Sequence, residues 1–190
     1  MRVALVLGSA ACVWDDVAAV SALGEFDGAV GCNDLGVVWP VELDAWVSQH
    51  ADLFRKYVAQ RERRGLPMHR RILAVEGARS HPRLSPAITG FVDHRFPGQA
   101  SSGTSGLFAL KVALIDLGFD RAVLCGIPML SEAGHLRDAT APWSGAQAHW
   151  AGWLEAYPQI EHRARSMSGR TADLLGRPTA AWVAGEPSCT

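Results

Sequence analysis

The chain has 190 residues, of which 48% are hydrophobic and 19% are charged, with a formal net charge of -1 at pH 7. This length and hydrophobicity exclude a disordered chain and predict one globular domain over residues 1–178, followed by an irregular tail over 179–190. The near-zero charge provides no overall positive field toward nucleic acid or anionic membranes, so we expect neither as a partner and expect a small molecule instead.

Cysteine and histidine spacing predicts no metal site, since the four cysteines include no CxxC pair and the seven histidines no HExxH or HxH pair. The opening apolar run is too short to span a bilayer and lacks the features of a signal peptide, which predicts a buried strand and a cytoplasmic protein. The low charge and the seven tryptophans leave a homodimer open.

Strand-like apolar runs alternate with helix-like segments in the first half of the chain, which is typical of parallel strands joined by crossover helices. In chain order we predict a strand at Val3 to Leu7, a helix ending near Leu23, strands at Gly28 to Cys32 and Ala45 to Gln49, a helix from Ala51 to Arg64, and a strand at Ile72 to Val75. The basic residues of the last helix and the loop after it predict a solvated face. They are Arg55, Lys56, Arg61, Arg63, Arg64, Arg70 and Arg71.

The second half opens with a stretch rich in glycine and proline, residues 77–103, that holds at most a short strand. Leucines then recur at helical spacing and predict a helix that Gly118 ends. The predicted elements after residue 76 are a strand near Gly90 to Asp93, the leucine helix through Leu107, Leu110, Leu114 and Leu117, a strand at Ala122 to Cys125, a helix from Ala146 to Tyr157, a strand near Arg163 to Met167 and a small final helix. Together the elements predict a three-layer, doubly wound, mostly parallel α/β sheet.

In such a sheet the loops that leave the carboxyl ends of the strands converge on one crevice. Those loops are Gly8-Ser9, Asn33-Asp34, Gln49-His50 and Gly126 to Met129. The first loop lacks the spaced glycines of GxGxxG, which disfavours a nicotinamide or flavin dinucleotide. On the residues alone, the first loop is as typical of a tight turn as of phosphate binding.

The segment Ser101 to Gly106 places small hydroxyls and glycines directly before the leucine helix, a composition that favours anion binding at backbone N–H groups. An ordinary Ser/Thr helix cap is the alternative. A serine-hydrolase elbow is disfavoured, because GxSxG would need glycine where Leu107 stands. We expect the turns near Ser9 and Thr104 to open onto one shared hollow.

Three stretches, VLGSAACVWDD, GCND and SSGTSGLFALKVALIDLGFDRAVLCGIPM, resemble a Rossmann-like transferase superfamily that includes single-domain bacterial sialyltransferases and archaeal 6-hydroxymethylpterin diphosphokinases. The resemblance spans roughly the first 130 residues. It implies a nucleotide or nucleotide-sugar ligand. The residues that it implies as contacts to phosphate and sugar are Gly8, Ser9, Asn33, Ser102, Gly103, Thr104 and Ser105.

Glycosyl transfer also needs a base for the acceptor hydroxyl, and a histidine suits that role. His149 is the candidate, in a place similar to that of the sialyltransferase base, and His50 at a predicted strand end is its rival. Asp34 is a candidate for a ribose hydroxyl or for Mg²⁺ on a diphosphate, and we attribute Asp15 and Asp16 to the helix dipole alone.

The sequence therefore predicts a nucleotide-binding transferase that moves a sugar from a nucleotide-sugar to an acceptor hydroxyl. Two alternatives stay open at this point. One is a Mg²⁺-dependent diphosphokinase-like enzyme, which would require carboxylates near the crevice. The other is a Rossmann-like binding or assembly protein without catalysis.

Overall fold

Short apolar segments form the strands of one sheet in the computed structural model, which describes residues 1–186. The strands are Val3–Leu7 (β1), Gly28–Cys32 (β2), Ala45–Ser48 (β3), Ile72–Val75 (β4), Gly90–Val92 (β5), Arg121–Cys125 (β6) and Ala164–Ser166 (β7). They lie in the order β5-β4-β3-β2-β1-β6-β7, and every neighbouring pair is parallel. The mostly parallel sheet predicted from the sequence is thus fully parallel over the described chain.

Helices connect the strands and cover both faces of the sheet. The α-helices are Val13–Ser21 (α1), Leu35–Val38 (α2), Phe54–Arg63 (α3), Ser105–Lys111 (α4), Gly145–Ala148 (α5), Trp150–Ile160 (α6), Gly169–Leu175 (α7) and Ala180–Ala184 (α8). Short 3₁₀ turns occur at Ala51–Leu53 and Glu76–Ala78, and a π-helical turn at Val112–Asp116 continues α4. Across residues 1–186, no helix has both the length and the apolar character needed to cross a membrane.

The apolar core consists of two clusters, one on each face of the sheet. Side chains on β1 alternate between them, as a strand covered on both faces requires. Ala4 and Val6 belong to the cluster that contains Leu107 of α4, whereas Leu5 belongs to the cluster that contains Phe54 of α3. This arrangement confirms the three-layer, doubly wound α/β fold of the Rossmann-like type.

The leucine helix is more deeply buried than its spacing predicts. All residues of α4 are buried, including Lys111, because the helix contacts β1, β2 and β3 and shares a core cluster with Trp153 of α6. The Lys111 ammonium is paired with both carboxylate oxygens of Asp116 at 2.9 Å. The pair lies across the π-helical turn and neutralises the cation that this position buries.

The C-terminal segment differs from the predicted irregular tail, because it contains α8. Thr179 caps this helix, its Oγ accepting a hydrogen bond of 3.1 Å from the Trp182 N–H. The Arg121 guanidinium lies 4.8 Å from the centre of a Trp182 ring, which attaches α8 to β6. Residues 187–190 of the predicted tail lie outside the described residues.

Candidate active site at the switch point of the sheet

The strand order reverses between β1 and β6, and in open parallel sheets a ligand crevice forms at that point, beyond the carboxyl ends of the strands. Gly8 follows β1 and Gly126 follows β6. The Gly8 N–H donates to the Cys125 carbonyl at 2.8 Å, and the Ala10 N–H donates to the Gly126 carbonyl at 3.1 Å. A Cβ on Gly8 would lie 2.2 Å from the Gly126 oxygen, so only glycine allows the two loops to approach this closely.

A cavity of about 430 Å³ opens at this point, within the size range of small-molecule sites. Its lining consists of Gly8, Ser9, Ala10, Cys32, Asn33, Gln49, His50, Thr104, Ser105, Gly106, Ile127, Pro128, Met129, Leu130, Ala133, Gly134, His135, Ala141, Pro142, Trp143 and His149. The turns near Ser9 and Thr104 therefore open onto the same hollow. The structure brings all the candidate residues into this lining except Asp34, Ser102 and Gly103.

The hydroxyl groups of Ser9 and Thr104 are used within the protein. Ser9 Oγ donates to the Cys32 carbonyl at 3.2 Å and accepts from the Leu35 N–H at 3.3 Å, which joins the first loop to the second. Thr104 Oγ caps α4 by accepting from the Leu107 N–H at 3.2 Å. The cap that was the alternative explanation for this segment is therefore present, and backbone amides are left as donors to an anion.

Asn33 has a left-handed backbone with φ of 50°, a conformation that asparagine tolerates better than most residues. Its side-chain Oδ1 accepts from Ser48 Oγ at 2.8 Å, and its carbonyl accepts from the Trp46 indole N–H at 2.7 Å. The Nδ2 group has no acceptor among residues 1–186. Asn33 is thus held rigidly in the cavity wall with one amide donor left for a ligand.

Three histidines from separate segments line the cavity: His50 after β3, His135 in the loop after β6, and His149 between α5 and α6. Imidazole is the side chain that most often serves as a general base in enzymes. Cys32 is not a nucleophile here, because burial, and secondarily the charge of Asp34, raises the pKa of its thiol to about 12.

Asp34 lies beside the cavity rather than in its lining. Its carboxylate forms an ion pair with Arg137, lies 3.6 Å from His135 Nε2, and accepts from the Tyr57 hydroxyl at 3.5 Å. These contacts connect the start of α2 to the loop that follows β6. The structure therefore places Asp34 in a network that anchors this loop, while the ribose or Mg²⁺ role considered from the sequence stays a prediction.

Ser102 and Gly103 support the turn that precedes α4 from outside the cavity lining. Ser102 Oγ lies 3.1 Å from His94 Nε2, and the Gly103 carbonyl accepts from Gln49 Nε2 at 3.1 Å. The backbone of Gly103 also packs closely on α6, since a Cβ on Gly152 would lie 2.7 Å from the Gly103 nitrogen. Both residues support the turn, and neither belongs to the cavity lining.

Asp16 supports the floor of the site, beyond the helix-dipole role expected for it. Its buried Oδ2 accepts from the Gly126 N–H at 2.8 Å and from Ser168 Oγ at 2.7 Å. These partners are 110 and 152 residues away in the chain. No local pattern could have revealed them.

His135, Trp143 and Gln49 are further residues of the lining that the sequence analysis did not select as site residues. His135 and Trp143 lie in the loop between β6 and α5. The sequence of that loop carries no motif that marks either residue. Gln49 lies in one of the loops expected to converge, so the sheet topology was the signal that could have identified it.

The fold is similar to solved sialyltransferase structures. The sialyltransferase CstII from Campylobacter jejuni in complex with a substrate analogue, CMP-3FNeuAc, matches with a TM-score of 0.59 and 15% identity over 95% of this chain and 88% of that chain. CST-II with trisaccharide acceptor and CMP matches with a TM-score of 0.57 and 14% identity, covering 95% and 87%. No family model and no curated protein matches the sequence.

At such low identity the similarity establishes the fold. It confirms the sialyltransferase part of the resemblance at that level, whereas the diphosphokinase part stays a prediction. The class that the fold defines is a three-layer Rossmann-like α/β domain with transferases among its structural neighbours.

Proposed function

We propose that this protein is a glycosyltransferase that moves a sugar from a nucleoside-monophosphate-activated donor to an acceptor hydroxyl. The observation that carries the proposal is the cavity at the switch point, which combines close-approach glycine backbone with imidazole side chains in its lining. The structural neighbours that were solved with CMP and a CMP-sugar analogue support the same class of ligand.

The charges in the lining favour a donor with a single phosphate. The lining contains no lysine, arginine, aspartate or glutamate among the described residues. A Mg²⁺-bound diphosphate donor would require carboxylate oxygens, and the nearby carboxylate of Asp34 is already paired with Arg137. The residues present therefore do not fit a Mg²⁺ diphosphate site, and we rank a diphosphokinase lower.

In the proposed reaction the bond from the anomeric carbon to the donor phosphate oxygen breaks, and a bond from that carbon to the acceptor oxygen forms. His149 accepts the proton of the acceptor hydroxyl as the bond forms. The nucleoside monophosphate leaves with one additional negative charge. Backbone amides at the turns near Ser9 and Thr104 stabilise that charge.

The first test is a thermal-shift comparison of CMP, UDP, GDP and ATP, each with and without Mg²⁺. A ligand that binds the native state raises the melting temperature. We expect a shift with CMP that does not depend on Mg²⁺. Failure of every nucleotide would support a binding or assembly protein that has no nucleotide substrate.

The second test separates binding from catalysis. We expect His149→Ala to lower kcat by about 10² to 10⁴-fold, the usual contribution of a general base, with CMP affinity unchanged. His50→Ala tests the rival base. His162→Ala is the matched control, because the His162 side chain is 87% exposed and lies outside the lining. Unchanged turnover in His149→Ala would remove this residue from the mechanism.

A further inference from the structure

Trp143 is an exposed aromatic residue at the cavity. Its relative exposure is 38%, and it is the one exposed large hydrophobic side chain of residues 1–186 that lines the cavity. Its ring lies parallel to the His149 imidazole within 4°, with 6.4 Å between the ring centres. An indole left this open in a cleft is available to bind a ligand face.

The position of this indole is set by the local backbone. The backbone N–H of Trp143 donates to the Ser131 carbonyl at 2.8 Å, which closes the base of the loop. The ring packs against Gly145, where a Cβ would lie 2.7 Å from three ring atoms. The small residue gives the indole room beside the chain, so the ring is supported without being buried.

The proposed base His149 is the aromatic side chain that stacks with this ring, and its position decides which ligand group the ring meets. If His149 removes the acceptor proton, the acceptor hydroxyl must lie within hydrogen-bond reach of its imidazole. The remainder of that acceptor ring then extends over neighbouring surface, and the parallel indole is the aromatic face there. The donor phosphate is expected at the turns near Ser9 and Thr104, which belong to the same lining.

We propose that Trp143 is the platform of an acceptor subsite for a pyranose sugar, a role that rests on the proposed function of His149. A C–H face of the sugar ring lies on the indole, and an adjacent hydroxyl points to the imidazole. The acceptor is therefore a glycoside with an apolar ring face.

Saturation-transfer NMR tests saccharide binding without any nucleotide. The probes are the methyl pyranosides of galactose, glucose, mannose and N-acetylglucosamine, with the open-chain alcohol galactitol as the negative control. We expect at least one pyranoside to give a signal that Trp143→Ala abolishes and Trp143→Phe retains. Absence of any pyranoside signal in the unsubstituted protein, or an unchanged signal in Trp143→Ala, would overturn the proposal.

Kinetics and calorimetry with the glycoside identified in this way give the second measurement. We expect Trp143→Ala to raise the acceptor KM about tenfold, with the Kd for CMP unchanged, and Trp143→Phe to restore most of the affinity. A weaker Kd for CMP with an unchanged acceptor KM would assign the indole to the nucleobase and overturn the proposal. If no nucleotide binds the unsubstituted protein, the transferase proposal fails, while the NMR result still decides whether Trp143 binds sugars.

Trp14→Ala is the matched control variant for both measurements. Trp14 is 43% exposed and stacks on Trp39 with 5.7 Å between ring centres, outside the cavity lining. We expect this variant to bind pyranosides and CMP as the unsubstituted protein does. Equal losses in Trp14→Ala and Trp143→Ala would indicate a general effect of tryptophan removal and overturn the specific role of Trp143.

Discussion

Two sets of basic side chains in this protein have opposite surroundings. Arg61 is fully buried, and its guanidinium donates to the carbonyls of Gly36, Trp39, Val41 and Pro67 at 2.7 to 3.2 Å. The neighbouring imidazole of His69 is also buried, and both of its nitrogens have partners. These two side chains stabilise the segment between β2 and β4, and their hydrogen-bonding groups are used within the protein.

The cavity presents the reverse arrangement. His50 is exposed and His149 is half-buried, and neither imidazole forms a hydrogen bond within the described part of the chain. Buried polar groups are usually satisfied because burial without a partner is costly, whereas a group in a cleft without a partner is free to meet a ligand. The comparison separates basic residues that maintain the fold from those that are available for chemistry.

The largest expected effect is on the fold. Arg61→Ala removes the donors to the buried Gly36 and Trp39 carbonyls, so we expect the free energy of unfolding to fall by about 3 to 5 kcal/mol in urea titrations. Arg61→Lys should recover only part of the lost free energy of unfolding, because one ammonium cannot replace the planar guanidinium. Arg63→Ala on the same helix is the control. If Arg61→Ala is as stable as Arg63→Ala, the structural role of Arg61 is wrong.

The pH dependence of stability should reveal His69. Burial lowers the pKa of the His69 imidazole from 6.5 to about 4. In addition, Nδ1 accepts from the Leu43 N–H at 3.0 Å, which leaves no place for a second proton on the ring. Between these pH values the unfolded chain binds a proton that the folded protein excludes. The free energy of unfolding is therefore not reduced by His69 above pH 6.5. As the pH drops toward 4, protonation of His69 in the unfolded chain lowers it by about 3 kcal/mol.

His69→Gln should lose this part of the pH dependence, measured as urea unfolding free energies between pH 7 and pH 4. His162→Gln, at an exposed position, should keep the original slope. An unchanged slope in His69→Gln would show that other groups cause the acid sensitivity.

A smaller effect is expected at the edge of the cavity. Asp34→Asn breaks the ion pair with Arg137 and should cost about 1 kcal/mol of stability. It should also accelerate hydrogen exchange at the Leu136 amide, which donates to the Ser9 carbonyl at 2.9 Å. Because Asp34 lies outside the lining, CMP affinity should change little. A large loss of CMP affinity with unchanged exchange would instead support the ribose contact considered from the sequence.

The smallest expected stability change is at the cavity histidines. His50→Ala and His149→Ala should each alter the free energy of unfolding by less than about 0.5 kcal/mol, because no intramolecular hydrogen bond is lost. The kcat of His149→Ala should nevertheless fall by the factor given above. A loss of stability similar to that of Arg61→Ala would remove the distinction between the two sets of residues.

Much of the fold was predictable because its signals are local. The continuous apolar run Val3 to Leu7 and the leucine spacing after Thr104 correspond to β1 and to the helical segment that begins with α4. The C-terminal helix α8 was less predictable, since tertiary contacts stabilise it. One such contact is the packing of the Arg121 guanidinium on the Trp182 ring. The solvated face predicted for the basic helix was wrong at Arg61, which is fully buried.

By itself, the sequence determined the alternation of strands and helices and, through it, the loops that meet at one edge of the sheet. Only the tertiary structure decided which polar residues face the cavity. Asp16 and Asp34 both lie in stretches that carry the resemblance to nucleotide-binding transferases, yet remote partners engage both carboxylates outside the lining. Periodicity reports burial along one element, whereas hydrogen-bond partners depend on segments that the chain brings together only when it folds.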